Sequence, residues 1–284
     1  MSGADPSAAA FCAELVRSHD FDRYAATLFV PADKRRALLA LYAFNAEVSR
    51  VRDQVSQPLP GEIRLQWWTD ALAGQGHGDV EQNPVAAELL QAIRAHDLPV
   101  DRLLKLIDAH VFDLYHDPMP DLAVLESHFR DTSGTLFVAA ARILGDASDA
   151  AGHAAEHAGL AQGVARIVAR LPYDSARGQL FVPQDMLVAN GSSAAEVFLG
   201  KPTPGIRATL GQLISGAQAQ WATAQDMLAN VVPAARAAFL PMALAQRDLA
   251  EMAREGFDPF AIYQRPRLRT LWTLWRASKL KMFS

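Results

Sequence analysis

From Ala8 to the C-terminus apolar residues recur at intervals of three and four, and the alternation a half-buried strand requires is nearly absent. That pattern restricts the chain to packed amphipathic helices, because each apolar stripe must find another to cover it. Alanine, leucine, arginine and glutamate supply the helix propensity. Short punctuation interrupts the stripes at 31–33, 57–61, 74–78, 118–121, 172–183 and 200–205, and none of these is a flexible interdomain linker. With 284 residues, half of them hydrophobic, the expectation is an all-α chain folded as a single domain over residues 1–284 around one large core.

The spacing predicts helices over 34–55, 63–72, 86–96, 101–115, 122–144, 147–170, 193–198, 205–230, 233–255 and 267–282. Asp33 is placed to cap the first of these, with Leu38, Leu41, Val48, Val51 and Val55 as its apolar stripe. Trp67 and Trp68 are adjacent, so they point in different directions and one of them is a candidate partner contact.

A formal charge of −4 argues against broad nucleic-acid binding, which needs a concentrated basic surface. One local basic segment exists: no acid follows Asp258, whereas Arg265, Arg267, Arg269, Arg276, Lys279 and Lys281 stand beside Trp272 and Trp275. Cations interleaved with aromatics suit an anionic membrane surface. The plainer reading is a C-terminal helix that packs its Trp and Leu residues inward. The single cysteine, Cys12, permits neither an internal disulfide nor a cysteine zinc cluster, which fits a reducing compartment. Residues 1–10 lack the basic cluster and apolar run of a signal peptide, and no apolar stretch approaches the ~18 residues of a spanning helix. A cytoplasmic chain, peripheral on the inner face of a membrane, is the expectation.

The run Leu41-Tyr42-Ala43-Phe44-Asn45-Ala46-Glu47-Val48-Ser49-Arg50-Val51-Arg52-Asp53 resembles the first signature of the squalene/phytoene synthases, in which two acids four residues apart hold magnesium against a prenyl diphosphate. Here Ser49 stands at the first acid position and only Asp53 remains. Gln162 to Arg170, followed by Leu171-Pro172-Tyr173-Asp174 and the loop Arg177-Gly178-Gln179-Leu180-Phe181-Val182-Pro183, resembles the second signature, again without its acids; Asp174 approaches one of them only if a residue is inserted. Asp131-Thr132-Ser133-Gly134-Thr135 is similar to the family's small-residue helix, and His110-Val111-Phe112-Asp113-Leu114 to a segment ending in Asp-Leu. Phe21-Asp22-Arg23-Tyr24, Leu65-Gln66-Trp67-Trp68 and Ala161-Gln162-Gly163 bring the likeness closest to a divergent branch, whose mitochondrial members are known as complex I assembly factors. The resemblance implies an isoprenoid-synthase helical fold with a central cavity. It also implies a role in assembling a respiratory complex, with a subunit of that complex as partner, or in binding an isoprenoid or anionic lipid. The pocket residues it implies are Tyr42, Asn45, Ser49, Asp53, Gln162, Arg166, Arg170, Tyr173 and Asp174.

Four-residue spacing puts Asn45, Ser49 and Asp53 on one helix face and Gln162, Arg166 and Arg170 on another. Arginine in place of carboxylate turns a metal trap into a site of fixed positive charge. A cation there meets repulsion of roughly 3 kcal/mol per unit charge pair at ~5 Å and an effective dielectric of ~20. No metal or other cofactor is therefore expected. Arg166 and Arg170 are free to hold an anion, or else they pair with Glu47 or Asp53, while Arg50 between Glu47 and Asp53 reads as a surface ion pair. Two alternatives stay open. One is an active prenyl transferase with Mg2+ on Asp53, Asp113 and Asp174. The other is a zinc protease built on His153-Ala154-Ala155-Glu156-His157, an H-x-x-E-H match that alanine-rich helices readily produce.

Overall fold

The computed structural model describes residues 6–76 and 78–283, so part of the N-terminal stretch, His77 in the 74–78 break and the last residue of the expected domain lie outside the described residues. Every regular element described is a helix: α1 Pro6–His19, α2 Phe21–Thr27, α3 Ala32–Ser49, α4 Val51–Gln54, α5 Pro58–Leu72, α6 Pro84–His96, α7 Val100–Ala109 and α8 Leu122–Phe129. These are followed by α9 Thr135–Ile143, α10 Asp149–Ala176, α11 Gln184–Ala189, α12 Ala194–Phe198, α13 Pro204–Met227, α14 Met242–Met252 and α15 Arg267–Ala277.

The longest helix, α10, is the axis of the fold. Ser148 starts it by accepting the Ala151 N–H, and its small residues let neighbours approach closely. A Cβ on Gly159 would lie 2.5 Å from the backbone nitrogen of Gly134, and one on Gly163 would lie 2.3 Å from the Phe129 ring. Gly134 ends a single π-helical turn, Arg130–Gly134, between α8 and α9, and Phe129 is the last residue of α8 just before it. One core cluster gathers α1, α3, α5, α6, α7 and α9 around Phe44, Leu41, Leu103 and Phe239. A second gathers α8, α10, α13 and α14 around Leu125, Leu187 and Leu249, and Trp221 packs on both.

Several expected boundaries move, for identifiable reasons. Pro31, not Asp33, precedes α3, and no side chain caps it; Asp33 sits in the first turn. The expected 34–55 helix breaks at Arg50 between α3 and α4, although Leu38, Leu41, Val48 and Val51 are all buried as expected and Val55 is partly buried. The expected stop at Pro172 does not occur: α10 runs through it to Ala176. Proline at that position forfeits only its own N–H, and the last turn is fastened by tertiary ion pairs through Asp174. The expected 122–144 helix is divided by the π turn, and the 233–255 helix becomes a 3-10 segment followed by α14. Trp68 is buried edge-on against Phe44 and Trp67, and Trp67 packs partly buried on the same core, so the pair is not an open contact surface.

Candidate functional site

The α3–α4 break and the one-turn extension of α10 shape a single cleft of about 240 Å3. Asn45 and Ser49 reach it from α3, Arg50 from the break, and Arg52 and Asp53 from α4. Opposite them Arg166, Arg170 and Asp174 descend one face of α10 at four-residue intervals. Asp174 joins that row because the helix does not stop at Pro172. The remaining wall comes from His19 and Asp20, from His110 and Asp113 beyond α7, from His128 and Phe129 on α8, and from Thr132 and Ser133 of the π turn.

The acids in this cleft are already partnered. Arg52 donates to Asp174 Oδ1 at 2.9 Å, with both side chains less than a tenth exposed. Arg170 lies 3.4 Å from Asp174 and 3.5 Å from Asp53, and Arg177 donates to Asp53 at 3.3 Å. Asp113 faces His110 Nδ1 at 2.7 Å, with His128 Nε2 at 3.9 Å. Asp20 accepts from Arg23 at 2.6 Å, and Arg23 also donates to Gln162 at 2.6 Å. Burial pushes the Asp174 carboxyl up, and Arg52 and Arg170 pull against that rise. Burial also opposes ionisation of Asp113, but His110, His128 and Arg52 hold it below the usual carboxylate range. His128 is pushed down, first by burial and then by the positive groups around it. Among the described residues no three His, Cys, Asp or Glu side chains come together in a set able to hold a metal ion.

Two arginines are left over. Arg166 and Arg50 line the cleft with no ion-pair or hydrogen-bond partner among the described residues. The Arg166 side chain is exposed to the solvent that fills the cleft. Partial desolvation by the cleft walls, and then the charge of Arg23, push its pKa down to about 10; Asp20 opposes that fall, and Arg170 and Arg52 add to it. The expected pairing of both α10 arginines with acids therefore holds for Arg170 and fails for Arg166. Arg50 makes no ion pair within 4 Å with Glu47 or Asp53, but its charge still pulls against the rise that burial gives the Glu47 carboxyl.

Six of the nine residues singled out in the sequence meet here: Asn45, Ser49, Asp53, Arg166, Arg170 and Asp174. Gln162 lines an adjoining cleft of about 370 Å3 that shares His19, Asp20 and Arg166 with the first. Tyr42 is buried beneath the Arg23 guanidinium, 5.7 Å from its ring centroid, and does not reach the cleft. Tyr173 is exposed and turned away, since its neighbour Asp174 takes the inward position. Arg52, Arg177, His110 and His128 belong to the site and were missed, although the His110–Asp113 spacing of three was a usable signal. The zinc alternative has no site: His157 contacts Gln220 on α13, Glu156 faces Arg102 at 3.9 Å, and His153 is exposed.

The squalene/phytoene synthase family model matches residues 16–276. The chain belongs to the squalene/phytoene synthase family. Within that family it is 31% identical over 255 residues to the mouse (Mus musculus) NADH dehydrogenase (ubiquinone) complex I assembly factor 6, covering 90% of this chain and 77% of that protein. To the phytoene synthase of Thermus thermophilus it is 25% identical, over 86% of this chain and 83% of the synthase. Among solved structures, squalene synthase HpnC from Alicyclobacillus acidocaldarius superimposes with a TM-score of 0.78 at 24% identity, over 91% of this chain and 99% of the synthase. The helical isoprenoid-synthase fold expected from the sequence is the fold observed.

Proposed function

We propose that this family member has kept the synthase fold without its metal-dependent reaction and acts in assembling a respiratory complex, as its assembly-factor relatives are named for doing. The observation that carries the reading is the state of the acids. Asp53 and Asp174 converge as a metal site would require, but guanidinium groups of Arg52, Arg170 and Arg177 stand among them, and Asp113 is spent on His110. A divalent ion would have to displace those partners and then sit beside their charge. Neither Mg2+ nor any other cofactor is needed for the proposed role. The cleft serves instead as a binding site for an anionic or isoprenoid ligand.

The same reading places the chain at a membrane surface, where such a complex resides, with one of its subunits as protein partner. No described helix is long and apolar enough to cross a membrane. On α15, Thr270, Leu274 and Ala277 face the core, whereas Leu268, Trp272 and Trp275 are 81%, 52% and 53% exposed. They stand among exposed Arg269, Arg276 and Lys279, with Arg276 over the Trp272 ring at 4.8 Å. The inward-packed tryptophans of the plainer sequence reading are thus not what forms. An apolar stripe with flanking cations and no acid suits peripheral contact with anionic lipid.

The test is deletion of the gene in a host that carries this chain, followed by NADH:ubiquinone reductase activity and native-gel assembly of the complex. Assembly should fall several-fold and be restored by wild type and by Asp53→Ala alike. Trp272→Ser/Trp275→Ser should shift the chain out of the membrane fraction. Normal assembly in the deletion strain, or rescue that depends on Asp53, would contradict the reading.

A further inference from the structure

Helices α5 and α7 pack side by side and leave an open groove of about 500 Å3 between them, which shares no lining residue with the cleft described above. Its floor is apolar: Leu65 and Ile107 are buried, and Leu104 and Val111 are partly exposed to the groove. On α5 the apolar surface continues onto the outer shoulder, where Leu59 and Ile63, four residues apart, are 65% and 63% exposed. A contiguous apolar strip left bare on a polar surface marks a place that another molecule covers.

The charges along the strip narrow what that molecule is. Glu62 and Asp108 stand on the groove rim. Asp70, which accepts from Gln66 at 2.7 Å, extends the rim along α5, and Asp101, four residues before Lys105, extends it along α7. None of these four acids makes an ion pair within 4 Å among the described residues; Glu62 accepts only from the Tyr115 hydroxyl. Lys105 is the one cation lining the groove among the described residues. The remaining cations of the two helices turn away, Arg64 to Gln54 and Arg102 toward Glu156. Negative charge therefore edges this apolar strip, the opposite of α15, where cations edge the stripe. Such a rim repels anionic lipid. A second copy offers α15 as a basic amphipathic helix, but a groove-to-α15 contact joins two unlike surfaces and runs on from copy to copy unless it closes into a ring.

We propose that the α5–α7 groove docks a partner protein through a basic amphipathic helix, whose apolar stripe covers Leu59, Ile63, Leu104 and Val111 and whose lysines or arginines meet Glu62, Asp101 and Asp108. Helix-in-groove recognition uses apolar anchors at three- and four-residue spacing, and complementary rim charge sets the orientation. The proposal deepens the assembly reading, on which it rests for the partner being a subunit of the complex.

The experiment places the photo-crosslinking residue p-benzoylphenylalanine at Gln66, on the groove rim, in a host that carries this chain, and maps the crosslinked peptide by mass spectrometry. Expected is an adduct with one protein, inside a helical segment of net positive charge with apolar residues three and four apart. Asp101→Lys/Asp108→Lys should reduce the adduct about 10-fold or more, and lysine-to-glutamate changes in the crosslinked segment should restore it. Asp226→Lys/Glu255→Lys, the same change of net charge at exposed positions outside the groove, should leave it unchanged. All four acids are exposed, so both purified variants should melt within about 4 °C of wild type, which separates lost docking from lost folding. An adduct with a second copy or with lipid, an adduct on an acidic segment, or no adduct overturns the docking surface. An adduct that survives Asp101→Lys/Asp108→Lys overturns its electrostatic basis. An adduct with the expected charge dependence, in a host whose complex assembles normally without this chain, supports the docking surface and overturns the assembly reading alone.

Discussion

Gly159→Ala should destabilise the protein by about 2 kcal/mol, while Gly152→Ala in the same helix should stabilise it by up to about 1 kcal/mol. Intrinsic helix propensity favours alanine over glycine equally at both positions, by roughly 1 kcal/mol. What differs is the space. A Cβ at Gly159 meets the Gly134 backbone at 2.5 and 2.6 Å, so the π turn and α10 must separate, and overpacking of this kind costs about 1–3 kcal/mol or more. A Cβ at Gly152 meets nothing within 4 Å. At roughly 2–4 °C per kcal/mol for a protein of this size, thermal unfolding should separate the two variants by about 6–12 °C, with opposite signs relative to wild type. Equal shifts would mean that the π turn does not rest on α10. The consequence reaches the cleft, because that turn places Thr132 and Ser133 in its wall.

Arg52→Ala should cost about 3 kcal/mol at neutral pH. Its side chain is 9% exposed and that of Asp174 4%, so removing the guanidinium strands a carboxylate that keeps only Arg170, at 3.4 Å. Breaking one side of a buried pair typically costs roughly 3–5 kcal/mol, and the residual Arg170 contact favours the lower end. Burial already pushes Asp174 up, and losing Arg52 pushes it further. A carboxyl whose pKa is raised by folding penalises the fold when ionised, and the penalty is relieved as pH falls through that value. The cost of Arg52→Ala should therefore shrink on acidification, and Asp174→Asn added to Arg52→Ala should recover part of it. Denaturant unfolding at pH 7 and pH 5 measures both effects; a cost that stays constant with pH would place the loss in the packing of Arg52 on Phe181, 4.9 Å from its ring centroid.

Much of this architecture is legible in local spacing, and the departures have local causes. The rows Asn45, Ser49, Asp53 and Gln162, Arg166, Arg170 do lie on the α3–α4 and α10 faces their spacing predicts, since four residues is close to one helical turn. Pro172 read as a stop because proline disfavours helix in general, yet near a C-terminal turn it forfeits a single hydrogen bond, and the Arg52–Asp174 pair fastens that turn. That ion pair spans 122 positions and leaves no trace in the periodicity of either helix. His110 and His128 come from two further elements, so their meeting around Asp113 is a product of packing alone. Tyr173 failed as a pocket residue for a geometric reason: it sits next to Asp174, and consecutive helical residues diverge by about 100°. Arg166 and Arg170 look equivalent in the sequence, and only the positions of Asp53 and Asp174 decide that one is paired and the other is not.

The central claim is that the family fold persists here while its metal-dependent chemistry does not. It is tested most directly by incubating the purified chain with farnesyl and geranylgeranyl diphosphates and Mg2+, following diphosphate release and extractable C30 or C40 product. The account predicts no release above the protein-free control from a chain that is folded by thermal melt. Release that requires Mg2+ and disappears in Asp53→Ala would contradict it, and would show that the guanidinium groups around Asp53 and Asp174 move aside for the ion.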